Sequence, residues 1–123
     1  MNDQPDKTIE AVLASASDRL FPEAGGEARV TLDSRSPDGD SALHVFIWGN
    51  ETENALFLIK SGIDINVAGD MGETPLHAAL HQHNSAVIKA LLDAGARTDI
   101  VSEFGKTAVD LAKEQSIDLA AIR

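Results

Sequence analysis

The stretch Gly72-Glu73-Thr74-Pro75-Leu76-His77-Ala78-Ala79 decides the fold. Thr74 can cap a helix, because its hydroxyl accepts a hydrogen bond from a free backbone N–H, and Pro75 suits the first helical position, where no N–H is needed. Apolar residues then recur at helical spacing until Gly95, which tolerates the positive φ that ends many helices. The stretch therefore opens a predicted pair of helices, at 74–82 and 85–94.

The same pattern returns along the chain with a 33-residue period. Glycines follow this step at Gly39, Gly72 and Gly105, and large apolar residues follow it at Leu43, Leu76 and Val109. A fixed period of this length is the signature of a repeat architecture. It predicts further helix pairs near 41–49 and 52–61, and near 107–114 and 117–122. Hairpin-like fingers are expected at 32–40, 65–73 and 98–106.

The chain before these repeats has a different pattern. Apolar residues at helical spacing predict one helix over about 6–20. A Pro- and Gly-rich stretch then predicts a loop at 22–27. A repeat cannot bury its apolar face alone, so the first and last units are expected to be modified as caps.

The Thr-Pro-Leu-His-x-Ala run at 74–79 and the 33-residue period together resemble the ankyrin repeat. The unit beginning at Gly39 is looser, and the unit beginning at Gly105 lacks the Pro and the His. The resemblance implies an all-α fold, an ankyrin-repeat solenoid of helix-turn-helix units with hairpin-like fingers. It implies one domain over 1–123, made of an N-terminal capping helix and degenerate unit (1–37), two repeats (38–70 and 71–103) and a C-terminal capping repeat (104–123).

Charge limits the possible partners. The 123 residues include 20 acidic and 10 basic side chains, for a net charge of −10. Binding to nucleic acid or to an anionic membrane needs clustered cations, so neither partner is expected. A basic protein partner fits better. The absence of cysteine excludes disulfides and thiol nucleophiles, and with no secretory signal visible we expect a cytoplasmic protein.

The resemblance also implies where a partner binds. Ankyrin arrays use the finger tips and the inner helices, and the family's surface-variable positions can be transferred from one unit to the next by the repeat period. These positions include six carboxylates and two cations, Arg35 and Lys106. The predicted protein-binding residues, which would form an acidic concave face, are Asp38, Asp40, Trp48, Asp70, Met71, Glu73, His81, Gln82, Glu103, Phe104, Lys106 and Glu114.

Three apolar side chains stand among the acids of this face. Trp48 is the only tryptophan in the chain, and Trp is enriched in interface hot spots. Met71 and Phe104 adjoin turn glycines, so both are expected at exposed finger tips, although Phe104 could instead cover the shortened last unit. Trp48 has a second interpretation as well, because bulky Phe46 could push it against the degenerate first unit.

The histidines allow a second kind of site. His77 and His81 are four residues apart, a spacing that can place two imidazoles on one helical face for a metal. The resemblance instead gives His44 and His77 a structural role, as hydrogen-bond donors to the finger backbone. His83 stands where the family prefers Gly, so it is expected to adopt an unusual backbone conformation. The interpretation adopted has no metal, no cofactor and no catalytic residue.

The predicted function is non-catalytic protein binding by a chain that is monomeric when free. Size and charge fit an inhibitor that masks a basic site, such as an immunity protein or an antitoxin. One alternative is a structural or scaffold element that self-associates through the shortened last unit, which ends at Arg123. Another is a metal-binding protein that uses His77, His81 and His83.

The transferred positions predict the effect of two substitutions. We expect Trp48→Ala and Asp70→Arg to weaken partner binding without unfolding the protein, because both positions are variable and outward-facing in the resemblance. Circular dichroism would check the fold and a binding titration would measure the affinity. Unchanged affinity in both variants would remove this binding face from consideration.

Overall fold

The fold is built from helices and tight turns. A computed structural model describes residues 8–25 and 28–122, and within these ranges it contains no β-strand. Residues 1–7, 26–27 and Arg123 lie outside the described residues, and with them the start of the predicted 6–20 helix and the end of the predicted 22–27 loop. The helices are α1 (Ile9–Ala14), α2 (Ser17–Leu20), α3 (Ala42–Trp48), α4 (Thr52–Lys60), α5 (Pro75–His81), α6 (Ser85–Asp93), α7 (Ala108–Glu114) and α8 (Leu119–Ile122).

The helices pack as stacked antiparallel pairs. The inner helices α3, α5 and α7 contact one another in that order, and the outer helices α4 and α6 pack on their partners and on each other. Leu43, Leu76 and Leu80 are fully buried between these layers. Ala78 and Ala79 are fully buried as well, and their small side chains let neighbouring helices approach closely. The all-α solenoid that the resemblance implied is therefore confirmed. No helix among the described residues has the length and apolar character needed to cross a bilayer.

Each inner helix begins with the same cap. The hydroxyls of Ser41, Thr74 and Thr107 accept hydrogen bonds from the backbone N–H three residues on, and the side chain of that third residue bonds back to the cap. These reciprocal bonds satisfy two N–H groups that a helix start leaves unpaired. Thr8, one further period upstream of Ser41, caps α1 in the same way with its hydroxyl. The α1 helix therefore begins at the repeat position.

The turns between paired helices share one backbone feature. Asn50, His83 and Ser116 have φ values of 56°, 54° and 58°, in the left-handed region that non-glycine residues rarely adopt. They stand one period apart, so the strain belongs to the repeat. The unusual conformation predicted for His83 is confirmed. The positive φ expected where the outer helices end is found at Gly62 and Gly95.

The N-terminal segment differs from its prediction. The single helix predicted over 6–20 is wrong, since the structure contains two short helices that meet at Ser15 and Ala16. The Ser15 hydroxyl donates to the Val12 carbonyl, and the Ala16 N–H bonds only three residues back. The Ser17 hydroxyl donates to the Ala28 carbonyl at 2.8 Å. These bonds compete with helix continuation and fold the segment into a shortened helix pair.

Two buried histidines connect the inner helices α3 and α5 to the finger that follows each. Backbone N–H groups of Ser41 and Thr74 donate to Nδ1 of His44 and His77, so each ring carries its proton on Nε2. The Nε2–H groups donate to the carbonyls of Glu73 at 2.9 Å and Lys106 at 3.0 Å. The structural role that the resemblance implied for both residues is confirmed.

Packing predicts how far two equivalent residues differ in their contribution to stability. Leu76 is fully buried, whereas Val109, one repeat later, is 36% exposed. We expect Leu76→Ala to lower the free energy of unfolding by about 2–5 kcal/mol and Val109→Ala by roughly 1 kcal/mol or less. Urea unfolding followed by circular dichroism measures both. Equal losses would contradict the packing described for the last repeat.

The buried His44 predicts a dependence of stability on pH. Burial lowers the pKa of His44 below its ordinary value of 6.5, while the bond to the Glu73 carbonyl acts in the opposite direction. Below pH about 6.5 the unfolded chain therefore binds more protons than the folded chain. The free energy of unfolding is therefore highest above this pH. It decreases as the pH falls towards the lower folded-state pKa of His44.

Urea unfolding at pH values above and below the ordinary pKa of histidine tests this dependence of stability on His44. We expect the wild type to lose stability on acidification, and His44→Gln to lose less, since glutamine has no such proton to gain. His83→Gln is the matched control, because His83 is exposed and its removal leaves the His44 effect in place. If both variants kept the wild-type slope, His44 would not be the residue responsible.

Candidate functional site

The candidate site is the face formed by the fingers and the inner helices. Each finger is closed by an equivalent backbone hydrogen bond, from the N–H of Ser36, Gly69 or Ser102 to the carbonyl of Asp40, Glu73 or Lys106, at 2.8, 2.8 and 2.9 Å. A second bond tightens each turn, from the N–H of Gly39, Gly72 or Gly105 back to the carbonyl of Ser36, Gly69 or Ser102. We name these turns finger 1 (32–40), finger 2 (65–73) and finger 3 (98–106). They carry no strand ladder within the described chain, so the hairpin-like shape rests on tight turns.

The fingers are also bonded to one another. The Asp70 N–H donates to Oδ1 of Asp40 at 2.9 Å, which links fingers 1 and 2. The Glu103 N–H donates to the Met71 carbonyl at 2.9 Å, which links fingers 2 and 3. Met71 has a φ of 59°, so its backbone is held in the left-handed region at the tip of finger 2. The three fingers therefore form a connected surface, which we name the finger edge and which these hydrogen bonds hold in place.

Three residue pairs occupy equivalent places between a finger and the end of its inner helix. The first pair is Asp40 and Trp48, the second is Glu73 and His81, and the third is Lys106 and Glu114. In the second pair Oε2 of Glu73 lies 2.7 Å from Nε2 of His81. In the third pair the Lys106 ammonium contacts the Glu114 carboxylate. In two of the three pairs the carboxylate is thus bonded within the pair.

The Trp48 ring stacks on the His81 ring of the next repeat. Their centroids are 5.6 Å apart and the rings are 22° from parallel. Trp48 is 38% exposed, so the stack lies at the surface. The alternative that Phe46 forces Trp48 against the first unit does not describe this contact. Phe46 is instead fully buried, with the Arg19 guanidinium 5.4 Å from its ring centroid.

The other predicted binding residues differ in exposure. Asp38, Asp70, Glu103 and Glu114 are exposed, as are Met71 at 49% and Phe104 at 63%. Asp40, Gln82 and Lys106 are half-buried. Glu73 is the exception to the outward placement expected of this set, since it is only 7% exposed and is bonded to His81. Its carboxylate positions the His81 ring, which lies under Trp48.

A groove lies between the second and third pairs. Its volume is about 470 Å³, and Phe104 and Leu111 supply apolar walls while Glu73 and Glu114 supply carboxylates. Leu111 and Ser102 are groove residues that sequence reasoning missed. The repeat period gives the positions of these two residues. The sequence of a single repeat does not indicate that a groove lies between it and the next repeat. Phe104 lines the groove, which favours an exposed role for this side chain over a capping role.

Three finger carboxylates have no cation nearby. Within residues 8–25 and 28–122, no Lys, Arg or His nitrogen lies at ion-pair distance from Asp38, Asp70 or Glu103. Asp99, at the base of finger 3, contrasts with them, because hydrogen bonds from Arg97 hold the pKa of its carboxyl below the usual value. The finger edge therefore presents uncompensated negative charge.

His44, His77 and His81 are engaged in hydrogen bonds with separate partners. Both ring nitrogens of His77 already have partners, in Thr74 and Lys106, and Nε2 of His81 is held by Glu73. In the part of the chain that the structure describes, no three His, Asp or Glu side chains are grouped in a way that could hold a metal ion. The i, i+4 spacing of His77 and His81 is explained by the cap and by the second pair.

Comparison with known proteins gives the same repeat pattern. The family model for ankyrin repeats (three copies) matches residues 18–102. An ankyrin and IPT/TIG repeat-containing protein of Schizosaccharomyces pombe is 30% identical over 119 residues, which are 96% of this chain and 10% of that protein. An ankyrin repeat protein of Fowlpox virus is 39% identical over 67 residues, 54% of this chain and 15% of that protein.

A shorter relative is protein phosphatase 1 regulatory subunit 27 of Mus musculus. It is 31% identical over 94 residues, which are 76% of this chain and 61% of that protein. The chain thus spans less than a fifth of the length of the two longer relatives and less than two thirds of the shorter one. The model match, the repeated caps and the histidine-to-finger bonds agree, and the chain belongs to the ankyrin repeat family.

Proposed function

We propose that this chain binds a basic protein through the finger edge and the inner helices, without catalysis. Ankyrin repeats generally mediate protein–protein interaction, and the family is typically non-catalytic. The observation that carries the finer proposal is the row of carboxylates on successive fingers, Asp38, Asp70 and Glu103, that have no ion-pair partner among the described residues. A basic surface would supply the missing charges.

The residue pairs within the face limit which carboxylates can attract a basic partner. Lys106 is paired with Glu114, and Glu73 is bonded to His81, so the carboxylates of this face left without an ion pair among the described residues are Asp38, Asp40, Asp70 and Glu103. Carboxylates arranged along one edge steer an oppositely charged protein towards it and suppress other partners. Their exposure makes each contact weak by itself, so we expect the charges to act mainly on association rate and specificity.

Apolar side chains would supply most of the affinity. Met71 and Phe104 are exposed beside the unpaired acids, and Trp48 lies one repeat away at the other end of the face. Large exposed side chains surrounded by polar groups match the anatomy of an interface, with an apolar centre and a polar rim. The groove under Phe104 would accept an apolar side chain of the partner.

We propose that the consequence of binding is masking of the partner's basic surface, as in an inhibitor or an immunity protein. The net charge of −10 and the small size support this role. Relatives described as regulatory subunits of protein phosphatase 1 support a regulatory role in general. We further propose that the chain is monomeric when free and acts in the cytoplasm.

Selection from a random peptide library tests the charge preference directly. A phage-displayed library would be selected on the immobilised wild-type chain. We expect enriched peptides to be rich in Arg and Lys and to carry an apolar residue, because the finger edge is acidic and adjoins Phe104. Their affinity for Asp70→Lys/Glu103→Lys should fall by roughly tenfold or more, since charge reversal repels them.

The control is a matched charge reversal on the outer helices. Glu53→Lys/Asp93→Lys changes net charge by the same amount at exposed positions of α4 and α6. It should leave the affinity within about threefold, apart from the small cost of the Lys89–Asp93 pair. Enrichment of neutral or acidic peptides, or equal losses in the two double variants, would contradict binding through the finger edge.

A further inference from the structure

The first of the three residue pairs lacks the nitrogen partner that the other two contain. Glu73 is paired with His81, and Lys106 is paired with Glu114, across the same spacing of eight residues. Asp40 and Trp48 hold these two places in the preceding repeat. These two residues are a carboxylate and an indole, and among the described residues no cation forms an ion pair with Asp40.

One edge of the Asp40 carboxylate is free to accept. Its Oδ1 accepts the Asp70 N–H at 2.9 Å, while Oδ2 has no hydrogen bond among the described residues. Arg35 lies on the same finger, but its guanidinium donates to the Gly39 carbonyl at 3.1 Å and makes no ion pair with Asp40. The pair therefore retains a negative charge and one unoccupied acceptor.

His81, in the next repeat, stacks on one face of the Trp48 ring. One period before Trp48 the equivalent position is Ser15, which is small and exposed. The Arg19 guanidinium lies near Gly49, the residue after Trp48, where it is bound to Glu51 and to the Ser15 carbonyl and lies over Phe46. Trp48 keeps 38% of its surface exposed, and we call the side of its ring away from His81 the open face.

We propose that the first pair is a docking site for an arginine side chain of the basic partner. The guanidinium stacks on the open face of Trp48 and donates an N–H to Oδ2 of Asp40. Its planar, delocalised charge suits both contacts, because it stacks on aromatic faces and presents several donors in a fixed fork. A lysine ammonium would satisfy the charge but not the stacking. The inference rests on the proposed function and names the residue type that one position recognises.

The neighbouring repeat supports this assignment. In the second pair, the planar ring of His81 occupies the space across from Glu73 and lies against Trp48. An arginine at the first pair would continue the same stack in the opposite direction, so that Trp48 lies between the guanidinium and His81. The carboxylate, the aromatic face and the small neighbouring residue thus favour one planar cation.

Trp48 is the only tryptophan, so its fluorescence reports on this position directly. The probes are synthetic peptides of four Gly-Arg, Gly-Lys or Gly-citrulline repeats, each labelled so that anisotropy gives an affinity. We expect the Gly-Arg peptide to change Trp48 emission and to bind roughly fivefold or more tightly than the Gly-Lys peptide. The citrulline peptide, planar but neutral, should bind at least about tenfold more weakly than the Gly-Arg peptide.

Matched variants locate the effect. Asp40→Asn removes the charge but keeps an oxygen that can accept the Asp70 N–H, whereas Asp33→Asn removes the same charge from an exposed position on the same finger, outside the proposed binding residues. We expect Asp40→Asn to weaken Gly-Arg binding roughly tenfold and Asp33→Asn less than about threefold. Trp48→Leu should abolish the preference for arginine over lysine. Circular dichroism would confirm that each variant is folded.

The outcomes separate this inference from the proposed function. Equal affinity for the Gly-Arg and Gly-Lys peptides, with equal effects of Asp40→Asn and Asp33→Asn, would overturn the arginine site and leave a general attraction of the acidic chain for basic peptides in place. Binding of neither basic peptide would contradict both proposals. Tight arginine binding that Trp48→Leu does not change would also overturn the assignment to the first pair.

Discussion

The hydrogen bond from a buried histidine to the carbonyl at the base of the next finger is the interaction on which the binding face depends. His44 and His77 each use one ring nitrogen to complete a helix cap and the other to hold the following finger. A buried imidazole left without partners would be costly, so the finger and the inner helix are held together by the need to satisfy one ring. Burial lowers the pKa of His44, which keeps the neutral ring that this double role requires.

This constraint explains why the face is regular while its chemistry is not. The histidines fix the bases of fingers 2 and 3 in the same way, and all three fingers share one closing backbone bond. Residues eight apart therefore lie at equivalent places, and their identities decide whether they bond to each other. Glu73 bonds to His81, and Lys106 bonds to Glu114. Asp40 and Trp48 form no such ion pair. Differences between repeats, rather than the repeat itself, therefore determine where a partner finds unsatisfied charge.

Sequence predicted the parts of the fold that the 33-residue step repeats: the caps, the inner and outer helix pairs, the turn glycines and the left-handed His83. It did not predict the break at Ser15, because that break depends on a bond from Ser17 to the distant Ala28 carbonyl. It placed Glu73 outward, because the resemblance makes this position surface-variable and a single repeat does not show that the carboxylate bonds to His81. The Trp48–His81 stack, in contrast, could have been derived from the step, since 48 and 81 are equivalent positions in adjacent repeats.

The distribution of charge follows from the same reasoning. A net charge of −10 by itself predicts only solubility and a general attraction to cations. Specific attraction requires that some carboxylates be neutralised and others be left free at fixed points. The Lys106–Glu114 pair, together with Arg97 on Asp99 and Arg19 on Glu51, uses several of the ten basic residues away from the finger tips. The cations of the chain thus shape the proposed recognition face by their positions, because the carboxylates they pair with among the described residues do not include the exposed Asp38, Asp70 and Glu103.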